Sequence, residues 1–171
     1  MIKICEVIYR GTWEAPKLPV DPSQFINTDG KHQVAVSAYA KQINAQTLRA
    51  MGMELKRNLR QTGSVRLVLP KAGTAVSAAE LKFNKVIEHG FELAVVTDGR
   101  DLVIGRTVSV QDVDWYSKRD YGRPVRDAKV GMMPPKLAQM LVNTTHSNLV
   151  WDPFCGTGQT IQEALLIGRE T

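Results

Sequence analysis

The residues best suited to chemistry lie near the end of the chain, in Asp152-Pro153-Phe154-Cys155-Gly156-Thr157-Gly158. An acid closes a brief apolar run, Leu149-Val150-Trp151, and two closely spaced glycines lead into Thr160 to Leu166, which reads as a helix. Glycines at such a turn permit a tight backbone and let a ligand approach where a Cβ would obstruct it. Strand, glycine turn and helix make the opening unit of a doubly wound nucleotide-binding sheet. Two familiar ligands do not fit these residues. A phosphate loop needs Lys after its last glycine, and none follows Gly158; a dinucleotide fingerprint needs a third Gly or Ala where Ile161 stands. What remains suits a cationic ligand that carries both an amino acid and a nucleoside.

S-adenosyl-L-methionine is such a ligand. Its α-ammonium group is one that the Asp152 carboxylate could hold, directly or through water. Cys155, in the same turn, has no histidine at a suggestive spacing, since His146 would have to fold back to reach it, so packing is its expected use. His32 and His89 form no metal constellation. Cys5 and Cys155 match neither a disulfide framework nor a zinc spacing, which makes a reducing, cytoplasmic setting the default.

Composition narrows the class. The chain has 171 residues, 43% hydrophobic and 23% charged, close to globular averages and unlike a disordered tail or coiled coil. No run of eighteen apolar residues offers a membrane span, and Lys3 and Glu6 interrupt any signal-like start. The net charge of +5 is uneven: residues 1–130 hold 20 Lys and Arg against 14 Asp and Glu, whereas 131–171 hold two against three. A basic first part favours a polyanionic partner without naming one.

The elements that position these groups follow from periodicity. Ile2 to Ile8 reads as a strand ended by Gly11, and residues 12–31, rich in proline, as a connector whose Trp13 is a packing anchor. Gln33 to Tyr39 is strand-like. Asn44 is a helix N-cap, and Leu48, Met51, Leu55 and Leu59 recur at helical spacing up to about Arg60. Arg49, Lys56 and Arg60 share a second face, with Arg57 beside them. That stripe is either a solvated face or a phosphate-contacting one. Val65 to Leu69 is a strand. Ser77 and Glu80 form a capping box for a helix that carries Lys82 and Lys85 and ends at Gly90. Phe91 to Thr97 and Leu102 to Val110 are strands joined by a turn at Asp98-Gly99. The aromatic and basic stretch from Trp115 to Asp127 has no clear period and reads as a linker over 113–131. Pro134-Pro135 then suits a helix start, with Leu137, Met140 and Leu141 as its buried face.

Three stretches together resemble a known family. They are Arg119-Asp120-Tyr121-Gly122-Arg123-Pro124, Gly131-Met132-Met133-Pro134-Pro135-Lys136-Leu137-Ala138-Gln139, and the Val150 to Glu163 segment around the glycine turn. They resemble the tRNA guanine-N2-methyltransferases that carry a THUMP RNA-binding domain, within the class I S-adenosylmethionine-dependent methyltransferases. The resemblance implies an α/β fold in which a THUMP-like RNA-binding domain precedes the start of a Rossmann-like methyltransferase domain. It implies residues 1–31 as the end of an N-terminal ferredoxin-like lobe and connector, 32–112 as the THUMP-like domain, 113–131 as linker, and 132–171 as the truncated beginning of the methyltransferase domain.

Site roles follow from the same resemblance. Asp152, Phe154, Gly156, Thr157 and Gly158 would line the methionine end of S-adenosyl-L-methionine, with Lys136 a weaker candidate on the helix beside them. Arg57, Arg60, Lys71, Lys82 and Lys85, chosen by charge and position, would hold the acceptor end of tRNA or another structured RNA. The family's Asp/Asn-Pro-Pro-Tyr-type catalytic motif is expected beyond Thr171, so the chain reads as a fragment that is inactive by itself. Two other readings stay open: a non-catalytic tRNA-binding module with a vestigial cofactor motif, and a relative of DNA methyltransferases.

Overall fold

A computed structural model describes residues 3–14, 17–26, 30–61, 63–123 and 132–171. Ile2, where the first expected strand begins, and residues 124–131 of the expected linker lie outside them. Contacts divide the chain into two units, residues 1–111 and 112–171.

In the first unit, alternating or continuous apolar runs form five strands: β1 (Lys3–Thr12), β2 (Lys31–Tyr39), β3 (Ser64–Val68), β4 (Gly90–Thr97) and β5 (Asp101–Val110). They make one mixed sheet in the order β1-β5-β4-β2-β3, in which β2 is parallel to β3 and β4, and β5 is antiparallel to β4 and β1. Helix α1 (Ala45–Asn58) connects β2 to β3, while α2 (Ala78–Phe83) and α3 (Val86–His89) connect β3 to β4. The two crossovers run in opposite directions from the sheet's edge, so a common right-handedness places their helices on opposite faces. Burial agrees. Leu48, Met51, Leu55 and Leu59 pack with Val34, Val36, Phe91, Leu93 and Ile104 on one face, joined by Trp13; Leu81, Val86 and Val76 pack with Ala35 and Val68 on the other.

Local signals explain several boundaries. The Asn44 side chain accepts the Thr47 N–H, and the helix tightens into a 3-10 turn at Leu59–Gln61. Ser77 and Glu80 exchange both capping-box hydrogen bonds. Accepting the Ser77 N–H also holds the Glu80 carboxyl below the ordinary glutamate range. Ser77→Ala is therefore expected to cost about 1 kcal/mol in a urea titration; a loss below about 0.3 kcal/mol would show that the cap is redundant.

Three expectations change. Gly11 does not end β1 but pairs with Leu102 inside it, and β1 is an edge strand of this sheet rather than part of a separate lobe at residues 1–31. The single helix expected from Ser77 to Gly90 is two helices. Asn84 closes α2 by donating to the Glu80 carbonyl, and Lys85 takes the left-handed conformation common just past a helix end. Gly90 then opens β4, where a Cβ would lie 1.9 Å from the Gln33 carbonyl oxygen.

The second unit holds α4 (Val113–Asp120), α5 (Pro135–Thr144) and α6 (Gln159–Leu166). Helix α4 occupies the start of the expected linker, capped by Asp112, which accepts the Asp114 and Trp115 N–H groups. Helix α5 starts after Pro134 as expected, but its buried residues are Pro135, Ala138 and Val142. Leu137, Met140 and Leu141 face outward instead, with Met140 65% exposed. The inward residues are short, and Val142 packs with Val150 and Ala164. No helix among the described residues is long and apolar enough to cross a membrane.

Candidate functional site

The glycine-bearing loop joins Val150 to α6. The expected strand at residues 149–151 reduces to one parallel bridge, Leu149 to Glu170, with the Val150 N–H donating to the Glu170 carbonyl at 2.9 Å. Val150 is buried, whereas Trp151 is 83% exposed. A single bridge orders one residue only, so the run does not extend into a ladder. Half-buried Asp152 accepts the Phe154 N–H through Oδ1 at 3.0 Å, which turns the chain sharply. The other carboxylate oxygen has no partner among the described residues.

Gly156 and Gly158 both have positive φ, 51° and 78°, conformations that residues with a Cβ adopt at a cost. The Gly158 N–H donates to the Cys155 carbonyl at 2.7 Å, and the Gly158 carbonyl accepts the first bond of α6 from Gln162. No atom lies within 4 Å of a Cβ placed on Gly158, and at Gly156 the nearest is the Phe154 carbonyl at 3.9 Å. Phe154, 92% exposed, and Thr157 also face solvent. The structure therefore brings Asp152, Phe154, Gly156, Thr157 and Gly158 into one open turn. Lys136 stands on α5 with its ammonium 5.6 Å from the Tyr116 ring centroid, beside a cavity of about 330 Å³ that Pro134 and Tyr121 also line.

A polar cluster holds this turn's helix in place. Glu163, fully buried on α6, receives the Arg119 guanidinium of α4 on both oxygens at 2.5 Å, and Gln159 donates to the same carboxylate at 3.1 Å. The guanidinium also stacks on Trp115, 3.5 Å from its centroid. Tyr116 donates to Gln139, which ties α4 to α5. Beyond α6, Arg169 donates to the Thr145 and Ser147 carbonyls at 2.9 and 2.7 Å. Arg119, Gln159 and Glu163 are not among the site residues expected from the sequence. The available signal was the four-residue spacing of Gln159 and Glu163, which puts two polar groups on one helical face.

The five cations chosen for RNA contact do not share a surface. Exposed Arg57 and Arg60 belong to the α1 layer on one face of the sheet. Lys71, Lys82 and Lys85 lie with α2 and α3 on the opposite face, where the Lys71 N–H donates to Glu80. Each set is a separate basic patch.

The first unit adds a second polar centre. Glu92, fully buried in β4, accepts from Lys3 at 2.5 Å, from Ser37 at 2.5 Å and from Thr107 at 2.6 Å. Every oxygen of this carboxylate is satisfied. Beside it opens a cleft of about 630 Å³ with Cys5, Val7, Tyr39 and Val96 on its walls. No protein-family model matches the chain, and no curated protein matches it.

Proposed function

We propose that the chain is part of an S-adenosylmethionine-dependent RNA methyltransferase, in which a THUMP-like RNA-binding module precedes the first βα unit of a Rossmann-like catalytic domain, and that tRNA guanine-N2 is its target. The observation that carries this reading is the turn itself: an acid at the end of a buried residue's bridge, followed by two positive-φ glycines that open directly onto a helix. The residues fit the cofactor. Asp152 keeps one oxygen for an ammonium group, no atom lies within 4 Å of a Cβ placed on Gly158, and at Gly156 the Phe154 carbonyl comes no nearer than 3.9 Å. The bound cofactor supplies an electrophilic methyl on sulfonium; Asp152 and the glycine backbone hold and orient it, and exposed Phe154 offers an apolar wall. The unit before it carries basic patches on two layers, which suits a partner that wraps more than one surface. Its mixed α/β sheet with helices on both faces is consistent with the expected module.

Calorimetry with S-adenosyl-L-methionine tests the cofactor site. Asp152→Ala is expected to weaken binding at least tenfold, the ordinary contribution of a charge-assisted contact. Equal affinity in the variant would remove Asp152 and the reading built on it. Filter binding of tRNA across a salt series tests the partner: affinity should fall steeply with salt, and a flat response would overturn the basic-surface reading. Strong tRNA binding with no cofactor binding would favour the non-catalytic module.

A further inference from the structure

At the end of the sheet where β2 and β4 begin, a cavity of about 370 Å³ opens beside Phe25, the end of α3 and β5. Lys31, His32, His89 and Arg106 line it against one acid, Glu88. None of these lies among the cations chosen from the sequence. Two features point to a ligand. His32, 8% exposed, lines the cavity, and no hydrogen bond occupies its imidazole among the described residues. The Arg106 guanidinium lies 5.3 Å from the Phe25 ring centroid, and no acid pairs with Arg106 or Lys31 among the described residues.

Unopposed cations around a concave surface raise the local potential. One compact group answers them: a tetrahedral anion that carries more than one negative charge and accepts from several directions. We propose that this cavity binds a phosphate group, with Arg106 and Lys31 supplying charge and the His32 and His89 imidazoles lining the same wall. The phosphate is either a free ion or part of an RNA strand. The site is independent of the cofactor turn, which belongs to the other unit.

Imidazole NMR of the full chain, titrated with inorganic phosphate at constant ionic strength, tests the proposal. The His32 and His89 signals should shift saturably. Arg106→Gln should weaken phosphate about tenfold, and the exposed pair Lys31→Gln with His89→Gln should weaken it in the same direction without loss of fold. No shift at His32, or the same affinity in both variants, overturns the site. A 5′-phosphorylated and a 5′-hydroxyl RNA of one sequence then identify the source. Preference for the first, relieved by inorganic phosphate, assigns an RNA end; equal binding relieved by phosphate assigns the RNA backbone; RNA that leaves the phosphate signals unchanged assigns the free ion. Cofactor calorimetry on Arg106→Gln should match the parent chain, so failure here and failure of the methyltransferase reading are separate results.

Discussion

Lys3→Met is expected to destabilise the first unit by about 3–5 kcal/mol, read as lost hydrogen-exchange protection in β4 and β5. Glu92 is fully buried, and Lys3 Nζ at 2.5 Å is the only cation on it among the described residues. Methionine keeps the volume of the stem but removes that charge. The carboxylate then keeps two hydroxyl donors, Ser37 and Thr107, and no counter-charge. Removing one partner of a buried pair costs far more than removing both, because the survivor is left desolvated and uncompensated. The double variant Lys3→Met with Glu92→Gln should thus recover most of the loss. Ser37 makes the network reach further: its oxygen also accepts the Val76 N–H at 2.8 Å and so fixes the segment ahead of α2. A loss under about 1 kcal/mol in Lys3→Met would mean that the two hydroxyls alone sustain Glu92.

The same logic applies with larger local consequences in the second unit. Arg119→Met should cost about 3–5 kcal/mol there and strip exchange protection from α6, because Glu163 is fully buried and Arg119 bridges it from α4. The buried apolar cluster of this unit, Val142, Val150 and Ala164, is thin. The ion pair and its Gln159 bond therefore carry an unusual share of the packing between helices. Arg119→Lys should recover only part of the loss, since an ammonium cannot stack flat on Trp115 as the guanidinium does. Because Gly158 caps α6, loosening of the helix also releases the glycine turn, and the affinity proposed for S-adenosyl-L-methionine should fall with it. Unchanged protection of residues 159–166 in Arg119→Met would show that other contacts hold the helix.

Much of the first unit was legible because its signals are local. Asn44 and the Ser77–Glu80 box act within four residues, and the apolar face of α1 repeats at helical spacing. The Asp98-Gly99 turn is equally local: the Asp98 carboxylate accepts the Arg100 and Asp101 N–H groups, as a turn-forming aspartate does. What could not be read depends on distant partners. The edge position of β1 is decided by β5, about a hundred residues away. In α4 the half-buried positions are Val113, Tyr116, Arg119 and Asp120, so the helical period is present, but half of it is written in charged residues. A search for apolar spacing passes over such a helix. The inward face of α5 failed for a related reason: periodicity locates faces, and only the neighbour's distance decides whether Ala138 or Met140 lies inside. At the glycine turn the residues were legible and the geometry followed, but the Arg119–Glu163 pair beneath it joins side chains 44 positions apart.

The Lys3–Glu92 pair also sets an order of events during synthesis. Lys3 leaves the ribosome before Glu92, which follows 89 residues later. Strands β2 to β5 can pair among themselves, but their central carboxylate waits for a cation carried on the first strand, which cannot pair until β5 exists. Closing so long a loop is entropically slow. Docking of β1 is therefore expected late in folding, and the charge at its base makes that step a checkpoint: until β1 returns, the sheet holds a buried charge without its counter-ion.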